Sequence, residues 1–518
     1  MGSVMKYILL VVALGGFVKG LCVSGQWTML YEHQATGAVI GGSLAALKTA
    51  VQNGARIRIV MPSGYAAEAD YIFVKDGGSV CGQFLWHVSK ASWNSFQGNV
   101  YWWWNIFCTS GKYYTTRYNI GSHVHRGDST TATRLKWFAR KDWATVKYSH
   151  DSSGGGDQTG HEALAQHIRD GAEVRVVSTS SSGDFGYAPL QNMLVKPRGE
   201  SGGGSQTCSK VMGQCLTHVS QMITGNDVKF QSNAYWWFTL LSTSGSRDMS
   251  RWNVGEHVDR GHTSDNIPMD WMVDPSWRKA YTNGPKGEAI FGKKSDLISA
   301  VQGGHRVRMV ILYPDATWYA TNVNNVHVRN DHVTAQSIQH VSMDANAERY
   351  QDNAYWVFMM ASTTGTVTRA RYLYNVGDTT ARGSDVQHWT IHWFVDTQNW
   401  KKVLSHGTDG TVIAGSRTAL TSAIKEGASV RCVMADGHYA FPAENVAING
   451  DHVAAQTIHS ISVAVSGSSE YVLQSNPYWW FTIVTTQGDR KMSRWTVGSH
   501  QSRGDSADKV AMNWFVDE

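Results

Sequence analysis

Four arginines, Arg58, Arg175, Arg308 and Arg431, each stand four residues after a glycine, inside a run of β-branched residues. A guanidinium is charged at every ordinary pH and presents planar, bidentate donors. Four of them could form an anion site, or a site for saccharide hydroxyls. The competing reading is structural: each arginine bridges to the closing aspartate of its own copy (Asp274, Asp396, Asp517) or caps carbonyls. The first copy has Arg140 where that aspartate should be and still keeps Arg58, so this partner is not obligatory. The structural reading is preferred.

A second recurring set is Gln83, Gln214, Gln336 and Gln456, accompanied four residues later by His87, His218 and His340. That spacing puts each pair on one face of a strand. The fourth copy has Ser460 in place of the histidine, so acid–base or metal chemistry would be lost there, and a partly buried polar network is the expectation. Arg126-Gly127-Asp128 and Arg503-Gly504-Asp505 read as cell-attachment tripeptides. The Arg-Gly pair belongs to the repeat, however, and His262 or Ser384 follows it elsewhere, so an Arg-Gly turn explains both matches. The sequence contains no nucleophile elbow, phosphate-cradling loop, dinucleotide fingerprint or zinc-protease helix. No catalytic residue, cofactor or metal is assigned.

These residues recur because the chain repeats. Copies span 27–142, 143–276, 277–399 and 400–518. Each reads as an opening strand, a helix stopped by a glycine (Gly54, Gly171, Gly304, Gly427), the arginine strand and the glutamine strand. A Tyr-Trp strand, a further strand, the Arg-Gly turn and a closing tryptophan (Trp137, Trp271, Trp393, Trp514) complete the copy. The expected fold class is α+β: four tandem repeats, each one helix packed on an antiparallel β meander, as a sandwich or partly closed barrel. Pairing the glutamine strand with the Tyr-Trp strand sets Cys81 opposite Cys108, and a disulfide is expected there. Met212 and Ser242, Thr334 and Ser362, and Ala454 and Thr485 occupy the matching positions. A second disulfide, Cys208–Cys215, would close a small loop.

Composition bounds the rest. With 22 Trp and 21 Tyr in 518 residues the chain is too aromatic for disorder. Its 46 basic and 41 acidic residues are interspersed, which argues against a nucleic-acid partner. Residues 1–20 read as a signal peptide, and no later stretch is apolar enough to span a membrane. The expectation is a secreted, multivalent binding or extracellular-matrix protein, whose partner is a carbohydrate or mineral-associated polymer. The alternative is an extracellular enzyme or small-ligand carrier using a pocket in one repeat.

Overall fold

The computed structural model describes residues 27–518 apart from 89, 98–99, 120–123, 141–144, 198–209, 220, 232–234, 254–258, 342–349, 351–355, 373–380, 467–469, 475–477 and 497–500. The signal-peptide segment and Cys208 lie outside the described residues.

The α+β expectation is overturned. The chain is 62% strand and 10% helical, with antiparallel sheets throughout. Among the described residues there are four short helices, α1 (Leu44–Gln52), α2 (Gln158–Arg169), α3 (Lys294–Gln302) and α4 (Arg417–Lys425). Each buries only about three residues, such as Leu420, Thr421 and Ile424 of α4. A helix of nine residues gains its stability from packing, not from propensity, so these four plug the sheets and do not form a layer. The glycine stops behave as expected, with φ between +72° and +94°. Gly427 has a second constraint: a Cβ there would meet the Phe138 ring at 2.7 Å.

The copy is not the unit of the sheet. In sheet I the first copy contributes five neighbouring strands, in the order Val39–Gly42, Trp27–His33, Leu135–Arg140, Ile57–Val60 and Ala66–Glu68. The closing strand therefore does not end a meander. It inserts between the opening strand and the arginine strand, and pairs with both. The other five strands of sheet I, Asn445–Asn449 through Ser502–Lys509, come from the fourth copy. Sheets II, III and IV repeat this plan. In each, the first half of one copy joins the second half of the copy before it. The joints are Phe185–Pro189 on Tyr71–Val74, Trp318–Asn322 on Asn192–Lys196, and Tyr439–Pro442 on Asn325–Arg329. In sheet I the joint pairs Ala66 with Val446 and Ala67 with Asn445, so the first copy completes the last and the chain closes into a ring. Among the described residues, three two-stranded hairpins lie beside the four large sheets.

The closing tryptophans Trp137, Trp271, Trp393 and Trp514 have no exposed surface and form the centres of the cores. Those cores cross copies as the sheets do: Trp27, Val60, Ala66 and Phe138 of the first copy pack with Leu404, Leu420, Trp514 and Val516 of the fourth.

Cys81 and Cys108 are bonded, at cross-strand positions with Cα atoms 4.1 Å apart. The matching pairs Met212–Ser242, Thr334–Ser362 and Ala454–Thr485 are also directly opposite. The bridge spans 27 residues. Replacing both cysteines by serine is expected to cost about 2–4 kcal/mol, read as a lowered urea midpoint, while three other copies hold the same strand pair without a bridge.

Candidate functional site: a chamber on the axis of the ring

Because each copy brings its arginine strand to the inside of the ring, the four strands converge. They wall a chamber of about 290 Å³ to which all four copies contribute. Its side chains fall into three tiers at equivalent positions. The first tier is Arg56, Glu173, Arg306 and Ser429. The second comprises the predicted arginines Arg58, Arg175, Arg308 and Arg431, of which Arg58, Arg175 and Arg431 line the space directly. The third, just past the partner strands, is Asp70, Gln191, Asn324 and Glu444.

The predicted arginines are buried, between 0% and 4% exposed, and a charge so placed needs partners. Only some have them. Arg175 donates to the Gly54 carbonyl at 3.0 Å and lies 3.4 Å from Glu173. Arg308 donates to the Asn322 amide oxygen. Arg58 and Arg431 make no ion pair among the described residues, and both line the chamber. The Nε and Nη2 of Arg58 and the Nε of Arg431 are buried without an acceptor, as are the Nε and Nη2 of Arg308. Burial lowers the pKa of Arg58 and pushes Arg308 and Arg431 down to about 10, so all stay charged at neutral pH.

The charged members of the first tier are paired, whereas the Ser429 hydroxyl is buried without a partner among the described residues. Arg56 holds Glu68 through a bidentate bridge, and Arg306 holds Glu173. Burial raises the Glu173 carboxyl, but the combined field of Arg306, Arg56, Arg175 and Arg308 outweighs it and keeps the group ionised far below the usual range. Aromatic faces back the cations: Arg306 lies 4.9 Å from the Trp277 ring centroid and Arg431 lies 5.9 Å from that of Trp400.

The closing aspartates do not serve the arginine of their own copy in the expected way. Asp517 of the fourth copy accepts from the Trp27 indole of the first at 3.0 Å, and from the Ser429 amide at 2.6 Å. Asp396 of the third copy accepts from Trp400 of the fourth at 3.0 Å and from His305 at 3.0 Å. Arg175 approaches Asp274 only at 3.9 Å. Asp517 and Asp396 thus tie an indole of the next copy to N–H groups of their own, while Asp274 accepts from the Ser276 amide of its own copy at 3.0 Å.

The glutamines lie elsewhere, and Gln83 and Gln336 act as clamps. Gln83 donates to the Val219 carbonyl at 2.9 Å and accepts from the Val219 amide at 3.0 Å. Gln336 bonds Ile461 in the same manner, at 2.7 and 3.4 Å. Asn192 donates to Gln214 at 3.4 Å and Asn445 donates to Gln456 at 3.0 Å. An amide whose two ends meet a peptide of another copy is committed to structure, so these residues are not brought to the arginine chamber. The side chains of His87, His218 and His340 lie outside the described residues.

The Arg-Gly segments are not turns. Arg126, Gly127 and Asp128 belong to the outermost strand of sheet II (His125–Ala132), and Arg503, Gly504 and Asp505 to that of sheet I (Ser502–Lys509). Gly127 and Gly504 have φ of +93° and +81°, next to a register shift in the pairing. This is a bulge that needs a left-handed residue, which accounts for the recurring glycine. Arg126 donates to Asn119 at 2.6 Å and covers the Tyr101 ring, while Asp128 accepts from His125 at 2.9 Å. Cys215 is buried. Asp227 stands beside Cys81 and Cys108, but the disulfide occupies both sulfurs.

A recurring feature missing from the sequence expectations is a neutral imidazole set against the closing tryptophan. His33, His150 and His406 are equivalent, with Asn283 in the third copy. Each Nδ1–H donates to the carbonyl of the next residue, at 2.8, 2.8 and 2.9 Å. The His150 Nε2 is left to accept from Trp271 at 3.1 Å, as the Asn283 oxygen accepts from Trp393 at 2.7 Å. Burial lowers the pKa of all three histidines, and pushes His327 and His392 down to about 4. The unfolded chain titrates its histidines near pH 6.5. Between that value and about 4 the unfolded state binds more protons than the folded one, so stability falls as pH falls. The urea midpoint is expected to drop steadily from pH 7 to pH 5; a flat profile would contradict the neutral pairing.

No family model matches the chain, and no curated protein matches it. Among solved structures it is similar to the Francisella PdpA-VgrG complex in its half-lidded form at 7% identity and a TM-score of 0.08, over 91% of each chain, a likeness that carries no argument.

Proposed function

We propose that the chain is a secreted binding protein whose ligand presents an oxyanion, a carboxylate or sulfate of a small acid or acidic saccharide unit, to the axial chamber. One observation carries this reading: buried guanidinium N–H groups of Arg58 and Arg431, on the chamber wall, have no acceptor. Leaving such donors unmade costs about 1–3 kcal/mol each, and an oxyanion accepts from a guanidinium with ideal geometry. Five arginines and four carboxylates line the space. Selectivity therefore rests on the unfilled donors, not on net charge. Four copies building one chamber favour the single-seat, small-ligand reading over multivalent attachment to a matrix. Secretion is supported by the signal-peptide pattern of residues 1–20 and agrees with the Cys81–Cys108 bond. Among the described residues no helix is long and apolar enough to cross a membrane.

The test is thermal unfolding and calorimetric titration with sodium sulfate and sodium glucuronate against sodium chloride at equal ionic strength. Saturable stabilisation by one of the two oxyanions is expected. Identical curves in all three salts would sink the proposal.

A further inference from the structure

A second cavity, of about 390 Å³, lies between sheets II and III and is closed at one end by the hairpin Gln221–Thr224/Asp227–Phe230. Its lining is mainly apolar and includes Phe73, Val228, Trp237 and Met249, with Ser178 as a polar group. Met222, 42% exposed, belongs to the same lining.

The equivalent place in the next-but-one sheet shows what shape this wedge is built around. Strand pairing matches Phe73 and Gly186 of sheet II to His327 and Tyr439 of sheet IV. The hairpin of the fourth copy (Val463–Ser466/Glu470–Leu473) matches the one above, with Tyr471 at the position of Val228. There aromatic rings take the place. The Tyr471 ring lies 4.8 Å from His327, which lies 4.6 Å from Tyr439. In the wedge of sheet II the two tyrosines are replaced by a valine and a glycine. Tyr71 recovers part of the loss, since a Cβ on Gly186 would collide with its hydroxyl. The volume of the Tyr471 ring is not recovered, and the cavity occupies that place.

We propose that this cleft is a binding site for a small planar aromatic molecule of phenol type, which takes the position that Tyr471 fills in the fourth copy. The ring lies over Phe73 with Trp237 beside it, where offset or edge-on stacking adds to the burial of apolar area. The Met222 thioether offers a soft contact at a ring edge. Ser178 is the hydrogen-bonding partner for a ring hydroxyl. Arg247, also in the lining, is held by Asp265 in a bidentate pair and is not required for the ring. The site is independent of the axial chamber.

The experiment is ligand-observed saturation-transfer NMR of 4-methylphenol on the full chain, with two variants that fill the cleft, Val228→Tyr and Ser178→Phe. Saturable binding to the wild type is expected, weakened at least tenfold in each variant that retains the native near-ultraviolet circular dichroism. Glucuronate should not compete. Absence of saturable binding to the wild type overturns the proposal. So does undiminished binding to a folded Ser178→Phe protein, which decides the matter if Val228→Tyr does not fold.

Discussion

A chain lacking residues 400–518 is expected to lose cooperative folding in the first copy as well as in the third. Sheet I would end at Ala66–Glu68, and sheet IV would end at Asn325–Arg329. Trp27 would lose the carboxylate of Asp517, and the core holding Trp27, Val60 and Phe138 would lose most of its members. Exposing three such side chains costs about 4.5–9 kcal/mol at about 1.5–3 kcal/mol each. That is comparable with the whole stability of an ordinary domain, about 5–15 kcal/mol. Hydrogen exchange should therefore show residues 27–68 unprotected in the truncated chain, and urea unfolding should lose its single sharp transition. A three-copy chain with the wild-type midpoint would mean that the copies are stable singly, and that the shared sheets contribute little.

Arg58→Met is expected to act in opposite directions on stability and binding. Arg58 is 2% exposed, has two buried N–H groups without acceptors, and makes no ion pair among the described residues. Replacing such a charge by an apolar side chain of similar length is commonly neutral or stabilising, here by about 1 kcal/mol or more. The same change removes a donor from the chamber, so the response to an oxyanion should fall by tenfold or more. Glu173→Gln should behave differently. Its carboxylate balances Arg306 and Arg175, and removing it leaves those guanidinium groups buried without their counter-charge, at a cost of about 3–5 kcal/mol. Thermal melts of the two variants, with and without sulfate, separate a binding role for the arginines from a structural one. If Arg58→Met destabilises the protein as much as Glu173→Gln, the arginine is a strut and the chamber is not a seat.

Much of the local order was legible in the residues. The glycine stops, the opposed Cys81 and Cys108 with their three matching pairs, and the burial of the closing tryptophans all follow from period and spacing. What escaped was the partner of each strand. A pattern of alternating residues specifies which face is buried but not which copy supplies the neighbouring strand, so a meander within one repeat and a sheet shared by two look alike. The closing strand is hidden for the same reason: Trp137 reads as the end of a copy, yet it pairs between Tyr31 and Ile59. The four arginines were found from their spacing, but their convergence needed the ring. The histidine–tryptophan pairing was hidden because Asn283 stands in for histidine in the third copy. The two residue types look unrelated until both are seen offering an acceptor to an indole. The aromatic cleft could not be read at all, because it arises from residues that are missing relative to another copy.

The joint between Ala67 and Asn445 brings the beginning and the end of the described chain to one place, with Trp27 and Asp517 a single hydrogen bond apart. A short linker could therefore tie the two ends covalently, and the backbone could be opened instead at another boundary between copies, near residue 276 or 399. All four large sheets would keep their strands and their neighbours. The order in which the copies are translated is thus independent of the shape they reach, and a permuted gene should specify the same closed assembly.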